Sequence, residues 1–118
     1  MILYDLIKKI KDSQEFSKSG MILTHTGIVR ESTREGEKIK ALEIEPDFNV
    51  VKAILTESKK LPGVKAIEIW IHEKARLNIG DEVMHIVIAG DIRENTLNAM
   101  KITLDEIKKR AVYKKHIF

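Results

Sequence analysis

The chain has 118 residues, of which 43% are hydrophobic and 33% are charged, and its formal net charge is only +3. This length and composition predict one folded domain over residues 1–118 rather than a disordered chain. There is no cysteine, which excludes disulfides, thiolate metal sites and a cysteine nucleophile. No apolar run approaches the roughly 20 residues of a membrane-spanning helix, so the expected compartment is the cytoplasm.

The first part of the sequence predicts one helix followed by two strands. Apolar residues at helical spacing predict a short amphipathic helix over residues 4–13. Residues 21–29 are rich in β-formers and predict a strand, and residues 39–45 alternate apolar and polar side chains as a half-buried strand does. The polar stretch 30–38 between them predicts a loop or hairpin turn with Gly36 at its bend.

The second part predicts a helix, two strands and a final helix. Asp47 is a predicted cap for a helix that continues to Leu61. Strands are predicted at residues 64–72 and 83–90, and the second is apolar enough to lie in the centre of a sheet. A helix is predicted over residues 94–110. Its predicted core-facing stripe consists of Leu97, Met100, Leu104, Ile107 and Ala111.

The predicted order is therefore α-β-β-α-β-β-α. An order of elements without regular strand–helix alternation is typical of an α+β domain whose strands pair mostly antiparallel.

Few side-chain patterns in the sequence point to chemistry. There is no catalytic triad, phosphate-binding glycine loop or metal-ligand spacing, and the histidines do not pair with one another or with carboxylates as ligands do. Arg30 and Arg93 each follow a predicted strand, and Arg93 also precedes a helix, where free backbone N–H groups favour an anion. The alternative for both arginines is an ordinary surface salt bridge.

The C-terminus concentrates positive charge. From Lys108 onward there are five lysine or arginine side chains and no acidic one. Lys108 lies at the edge of the predicted apolar stripe, where its stem can pack while its amine reaches a cleft, and Lys115 lies beyond the predicted helix end. The cluster is either a solvated tail or a site for an anionic ligand, in which neighbouring cations lower one another's pKa.

Four stretches in order resemble one known family. They are GMILTHTGIVR, GEKIKALEIEPDFNVVKAIL, VKAIEIWIHEKARLNIGDEVMHIVIAG and IRENTLNAMKITLDEIKKRAVYKK. Together they cover about residues 16–116 and resemble the large, catalytic subunit of molybdopterin synthase. The resemblance implies an α/β-hammerhead-like fold.

The resemblance also implies a specific activity and specific partners. Such enzymes insert dithiolene sulfur into cyclic pyranopterin monophosphate in molybdenum cofactor biosynthesis. The sulfur comes from the C-terminal Gly-Gly thiocarboxylate of a small ubiquitin-like partner subunit, one of which docks at each end of a homodimer. No cofactor and no metal are implied.

The same resemblance assigns roles to individual residues. The two catalytic lysines of the family fall on Lys108 and Lys115, and its substrate-binding arginines fall on Arg30 and Arg93. His25 stands where the family has an aromatic residue, and we assign it to substrate binding. We expect Arg30 and Arg93 to converge on one anion pocket.

Besides His25, this sequence departs from the family pattern at four places. Ile92 replaces a histidine, Glu73 replaces an arginine, and Val112 and Lys114 replace a proline and a tryptophan. The departures leave two alternatives open. One is a non-catalytic relative that binds a pterin phosphate or a ubiquitin-like tail. The other is a basic nucleic-acid-binding domain, although that class usually interleaves aromatic residues with its basic ones.

Overall fold

The computed structural model describes residues 1–118 and contains three α-helices and six strands. The elements in chain order are α1 (Ile2–Lys11), β1 (Met21–Ile28), β2 (Ala41–Pro46), α2 (Phe48–Ser58), β3 (Val64–Ile71), β4 (Ala75–Asn78), β5 (Glu82–Gly90), α3 (Arg93–Glu106) and β6 (Val112–Ile117). A 3₁₀ turn precedes β1, and a π-helical turn, Ile107–Ala111, joins α3 to β6. No helix has the length and apolar character needed to cross a bilayer.

The strands form two separate antiparallel sheets. The first has the order β1-β5-β3 and the second has the order β4-β2-β6. The predicted α+β class with antiparallel pairing is confirmed, and β5 lies in the centre of its sheet as its continuous apolar run predicted.

The first sheet lies between helices on both faces. On one face, Ile10 of α1 packs on Val87 and Ala89 of β5. The opposite face, with Ile86 and Ile88, belongs to the larger core that also contains buried residues of α2, α3 and the second sheet. Burial on both faces explains why β5 is apolar at nearly every position.

The cap and turn predicted from single residues are also present. The Asp47 carboxylate accepts hydrogen bonds from the backbone N–H groups of Asn49 and Val50 at the start of α2. Gly36 bends the loop between β1 and β2 with a φ of 91°, a left-handed conformation that favours glycine.

Two strands in the structure were not predicted. β4 is only four residues long, ARLN, and its alternation is too short to distinguish it from a loop. β6 was interpreted as the end of a helix followed by a tail, because its sequence VYKKHI has a polar centre. The strand is formed through its pairing with β2, which is a non-local contact.

The predicted core stripe of α3 is wrong at Leu97, which is 50% exposed. The helix instead buries Thr96 and Thr103. Thr103 donates a hydrogen bond of 2.8 Å to the hydroxyl of Ser58 in α2, and Thr96 donates one of 2.8 Å to the carbonyl of Ile92. Because both hydroxyls have partners, their burial costs little, and the buried face is rotated by one position from the predicted one.

Candidate functional site

The π-helical turn after α3 exposes the basic residues of the C-terminal region. Ile107 and Ala111 are buried and fix the turn in the core, while the three residues between them point to solvent. Arg110 is paired with Glu57 at 3.3 Å and with Glu106 at 3.4 Å. Lys108 and Lys109 have no ion pair and no side-chain hydrogen bond. π-Helical turns are rare and often lie at functional sites.

The register of β6 determines which lysine faces which side of the second sheet. Lys114 lies opposite Ile44, and Lys115 lies opposite Glu43. Side chains of directly opposed residues share a face, and Ile44 is only 2% exposed in the larger core. The side chain of Lys114 therefore lies on the inner face of the sheet, and that of Lys115 lies on the outer face.

Lys114 lies on the same side as Lys108 and a histidine from the first sheet. His25 of β1 is opposite Ile86, so its ring lies on the face of that sheet that packs into the larger core. Burial lowers the pKa of His25, and the charges of Lys108, His85 and Lys114 lower it further. The three elements that hold His25, Lys108 and Lys114 thus bring these basic groups within electrostatic reach of one another.

The loop between β1 and β2 adds an arginine to this group. A backbone hydrogen bond of 3.0 Å from Gly36 to Thr33 closes a tight turn, and Arg34 lies within that turn. The side chain of Lys114 is exposed as a whole, but partial desolvation of its amine lowers its pKa, and the charges of Lys108 and Arg34 lower that pKa further. We call Arg34, His25, Lys108 and Lys114 the cationic cluster.

No acidic side chain balances the cationic cluster. None of its four members forms an ion pair within 4.0 Å, although eight such pairs occur elsewhere in the protein. Clustered cations without counter-charges repel one another and attract anions. The arrangement is therefore suited to binding an oxyanion or a phosphate.

The outer face of the second sheet forms a different, mixed-charge pocket. This pocket has a volume of about 500 Å³ and is lined by Lys115 together with Glu43, Glu45, Lys74 and Tyr113. Lys74 is 3.7 Å from Glu45. The charges here are mostly compensated, so this pocket favours an anion less than the cationic cluster does.

The expectation that Arg30 and Arg93 converge is wrong within one chain. β1 and β5 are antiparallel, with Ile28 opposite Glu82 and Met21 opposite Gly90. Arg30 follows the first of these ends and Arg93 follows the second. The two ends are separated by roughly 23 Å, the length of an eight-residue strand, which two arginine side chains do not bridge.

The surroundings of the two arginines also differ. Arg30 is exposed, and its Nε donates a hydrogen bond of 3.0 Å to the carbonyl of Ser32 at the start of the loop that contains Arg34. Arg93 is the first residue of α3, where the Asp91 carboxylate accepts a 2.6 Å hydrogen bond from the N–H of Ile92. The hydrogen bond from Asn95 and that from Ile92 lower the pKa of Asp91. An internal carboxylate thus already occupies this helix N-terminus.

The remaining histidines do not form a metal site, since no group of three histidine or acidic side chains is placed to hold an ion. His85 is 1% exposed and its Nδ1 is 2.8 Å from the hydroxyl of Thr26. Its ring stacks on Trp70, with the ring centroids 5.3 Å apart. His85 is thus a core histidine.

Sequence reasoning missed Lys114 and Arg34 as members of the cluster. Lys114 was overlooked because the chain after residue 110 was not recognised as a strand, so the alternation of its side chains was not applied. The available signal was the pairing of a VYKKHI segment with the alternating ALEIEP strand. For Arg34 we find no signal, because a polar loop does not reveal which of its exposed side chains lies near the charges of another element.

Comparisons with known proteins agree with this architecture. The sequence profile of the MoaE protein family matches residues 4–110. An uncharacterized protein of Methanocaldococcus jannaschii is 30% identical over 96 residues, which make up 78% of this chain and 80% of that protein. The crystal structure of molybdopterin synthase from Staphylococcus aureus superposes with a TM-score of 0.72 and 28% identity, covering 86% of this chain and 76% of that one.

A second structure shows the same fold at lower identity. It is a protein–protein complex of subunits 1 and 2 of molybdopterin-converting factor from Helicobacter pylori. The matching chain has a TM-score of 0.70 and 21% identity, and the similarity covers 100% of this chain and 84% of that one.

Proposed function

Because this chain belongs to the MoaE protein family, we propose that it acts as the catalytic subunit of molybdopterin synthase. In this role it is a sulfurtransferase of molybdenum cofactor biosynthesis, and it inserts dithiolene sulfur into cyclic pyranopterin monophosphate. Its partner is a small sulfur-carrier subunit with a C-terminal thiocarboxylate. The Helicobacter pylori complex of subunits 1 and 2 supports such a pairing.

The observation that supports this function best is the uncompensated cationic cluster. Both reactants are anions, since the pterin substrate has a phosphate and the partner ends in a thiocarboxylate. Charge-assisted hydrogen bonds from lysine and arginine are the strong ones for such groups. Lys108, at the π-helical turn, has no internal partner, so its amine is free to bind either anion.

The chemistry requires an oxyanion to be stabilised. The thiocarboxylate sulfur attacks an oxygen-bearing carbon of the pterin precursor, and the carbon–oxygen bond breaks as the carbon–sulfur bond forms, so that the oxygen leaves with the bonding electron pair. The partner is then attached to the pterin through a thioester. Water then adds to the thioester carbonyl, and the carbon–sulfur bond to the partner breaks, so that the sulfur stays on the pterin and the partner leaves as a carboxylate. A cation beside the carbonyl oxygen stabilises the tetrahedral oxyanion. We assign this role to Lys108.

The roles of the other residues marked by the resemblance follow from their positions. Arg30 and His25 are proposed to bind substrate beside the cluster. Lys115 is the second catalytic lysine by resemblance, although its surroundings on the outer face differ from those of Lys108. Arg93 can join a site containing Arg30 only from a second copy of the chain, because the two are at opposite ends of one sheet.

We therefore propose a homodimer, and a heterotetramer once two small subunits are bound. In a two-fold dimer whose two copies lie antiparallel, one end of the first sheet in one copy is next to the opposite end of that sheet in the other copy. This arrangement would place Arg30 of one copy beside Arg93 of the other. The cytoplasm is still the expected compartment, and cell fractionation tests that part of the proposal.

One observation favours the non-catalytic alternative. Ile92, which replaces the family's histidine, is 54% exposed at the N-terminus of α3, and no other histidine is close to it in sequence to take over proton transfer. The test is single-turnover conversion of the pterin precursor with thiocarboxylated partner. Substrate binding without product formation would select the non-catalytic function.

A further inference from the structure

We propose that a pocket beside the C-terminal end of α1 binds a small phosphate monoester, and that the bound phosphate links α1 to β3 and to the end of α2. The pocket has a volume of about 270 Å³. Its charged lining residues come from three elements: Lys9 from α1, Lys59 after α2, and Lys65 and Glu68 from β3. It shares no residue with the cationic cluster or with the pocket that contains Lys115. The inference therefore does not depend on the proposed function.

A β-bulge in β3 directs Lys65 into this pocket. Along the pairing with β5, Val64 is opposite Gly90 and Ala66 is opposite Ala89, so Lys65 has no partner of its own. An extra residue of this kind bends the strand and can aim a side chain out of the regular alternation. Lys65 is half-buried and lines the pocket, and it has no ion pair and no side-chain hydrogen bond. A partly desolvated ammonium group without a partner gains by contact with an anion.

The charges that line the pocket do not cancel. Three lysines and one glutamate give three positive charges and one negative charge, a net charge of +2. The amine of Lys9 is 3.3 Å from the carboxylate of Glu68, so these two charges compensate each other. Lys59 and Lys65 have no acidic partner. Uncompensated cations around a concave site attract anions into it.

The two helix ends beside the pocket do not account for its lysines. Lysine is favoured near a helix C-terminus because the last carbonyl groups there lack partners. At the end of α1, however, the carbonyl of Ile10 accepts hydrogen bonds from both the backbone N–H and the hydroxyl of Ser13. At the end of α2, the carbonyls of Leu55 and Glu57 each accept a backbone N–H group. These carbonyls already have donors, and Lys65 belongs to a strand.

The size and the apolar part of the lining indicate a small ester. The pocket is smaller than the roughly 300–1,000 Å³ of sites for drug-sized ligands. Besides the charged residues it is lined by Ile10, Val64, Ala66 and Ile67. A phosphate among the lysines, with a short carbon chain against these residues, matches both parts of the lining. Because α1 has only one buried residue, Ile10, a phosphate that also contacts Lys9 would strengthen its attachment to the sheet.

The binding test is a titration with inorganic phosphate and with propyl phosphate, followed by the backbone amide NMR signals of Ser13 and Ala66. Both signals should shift to saturation, and propyl phosphate should bind more tightly than inorganic phosphate. Lys65→Met should weaken the binding of both at least about tenfold, since a hydrogen bond to a charged group is lost. Propyl phosphate should also slow hydrogen exchange of the α1 amides in wild type.

Three further variants separate a built site from a general effect of positive charge. Lys59→Met, at an exposed position, should also weaken binding and serves if Lys65→Met does not fold. Glu68→Gln removes the negative charge of the lining and should tighten binding about fivefold, the effect of one unit charge at about 4 Å in water. Lys60→Met is the matched control, because Lys60 is exposed and adjacent to Lys59 but does not line the pocket.

Several outcomes would overturn the inference. Equal weakening in Lys60→Met, Lys59→Met and Lys65→Met would show a diffuse basic surface instead of a site. Unchanged binding in Glu68→Gln, or no response of the Ser13 and Ala66 signals to either ligand, would also overturn it. Inorganic phosphate that binds as tightly as propyl phosphate would refute the assignment to an ester. No pterin and no partner subunit enter these measurements, so a failure of the proposed sulfur transfer would leave their result unchanged.

Discussion

Replacing Lys108 with alanine should remove activity without affecting the fold. Lys108 is exposed and has no ion pair or side-chain hydrogen bond to lose. The free energy of unfolding should therefore change by less than about 0.5 kcal/mol, the usual range for surface positions. Any change should be stabilising, because the charge of Lys108 now disfavours the protonated forms of Lys114 and His25.

The rate of sulfur transfer should fall much further. Removing one group that stabilises an oxyanion typically costs about a hundredfold in rate, or about 2.7 kcal/mol. Lys109→Ala is the control, since Lys109 is in the same π-helical turn and also lacks a partner, yet it is not among the charges that lower the pKa of His25 or Lys114. The assay is single-turnover conversion of the pterin precursor, alongside thermal melts of both variants.

Equal losses of activity in Lys108→Ala and Lys109→Ala would refute this reasoning. That result would mean that the basic turn acts only as a diffuse patch that attracts anions. A large loss of stability in Lys108→Ala would also refute it, because the residue would then have a structural role.

Three further predictions concern the dimer, the packing and the response to pH. Arg30→Ala and Arg93→Ala should each be inactive as homodimers. If each site takes one arginine from each copy, mixing the two variants and allowing their subunits to exchange should restore activity at about a quarter of the sites. No recovery of activity would contradict the shared site. Gly90→Ala should destabilise the protein by about 1–3 kcal/mol, the usual cost of overpacking, because an added Cβ would overlap the buried hydroxyl of Thr96; chemical denaturation checks this, and adding Thr96→Ala should recover part of the loss. The pKa of His25 is lowered from 6.5 in the folded protein, so on acidification the imidazole takes up a proton in the unfolded state before it does so in the folded state. The contribution of His25 to the free energy of unfolding should therefore be complete above the unfolded pKa and decrease below it. His25→Gln should lose less stability than wild type in denaturation curves taken between about pH 8 and about pH 5, and an equal loss would contradict the assignment.

The elements that sequence predicted well are those with strong local signals. The Asp47 cap needs only a carboxylate followed by a helical stripe, and β5 needs only a continuous apolar run. Gly36 was correctly identified at a bend because a left-handed residue without a side chain is the expected choice there.

The elements that sequence missed depend on partners that are distant in the chain. β6 forms because β2 offers it an unpaired edge, and its own residues do not favour a strand over a helix end. The buried face of α3 depends on Ser58 of α2, which accepts the hydrogen bond of Thr103. A threonine does not look like a core residue until its partner is known.

The sequence predicted a concentration of basic residues but not which of them lie near one another. Unbalanced charge after Lys108 left a solvated tail and an anion site as alternatives, and the structure brings basic groups from other elements to that region. The pairing of Lys108 with Lys115 came from positions that match a family motif. The register of β6 decides which side of the second sheet each lysine faces. The sequence analysis treated this part of the chain as the end of a helix, so the spacing of the lysines did not reveal that register.

The most direct test of the account is a single-turnover reaction of the wild-type protein with cyclic pyranopterin monophosphate and a thiocarboxylated small partner subunit. The account predicts that sulfur appears on the pterin and that the partner is released with a carboxylate terminus, at a rate that Lys108→Ala lowers about a hundredfold. Tight binding of both reactants without any transfer of sulfur would contradict the central claim.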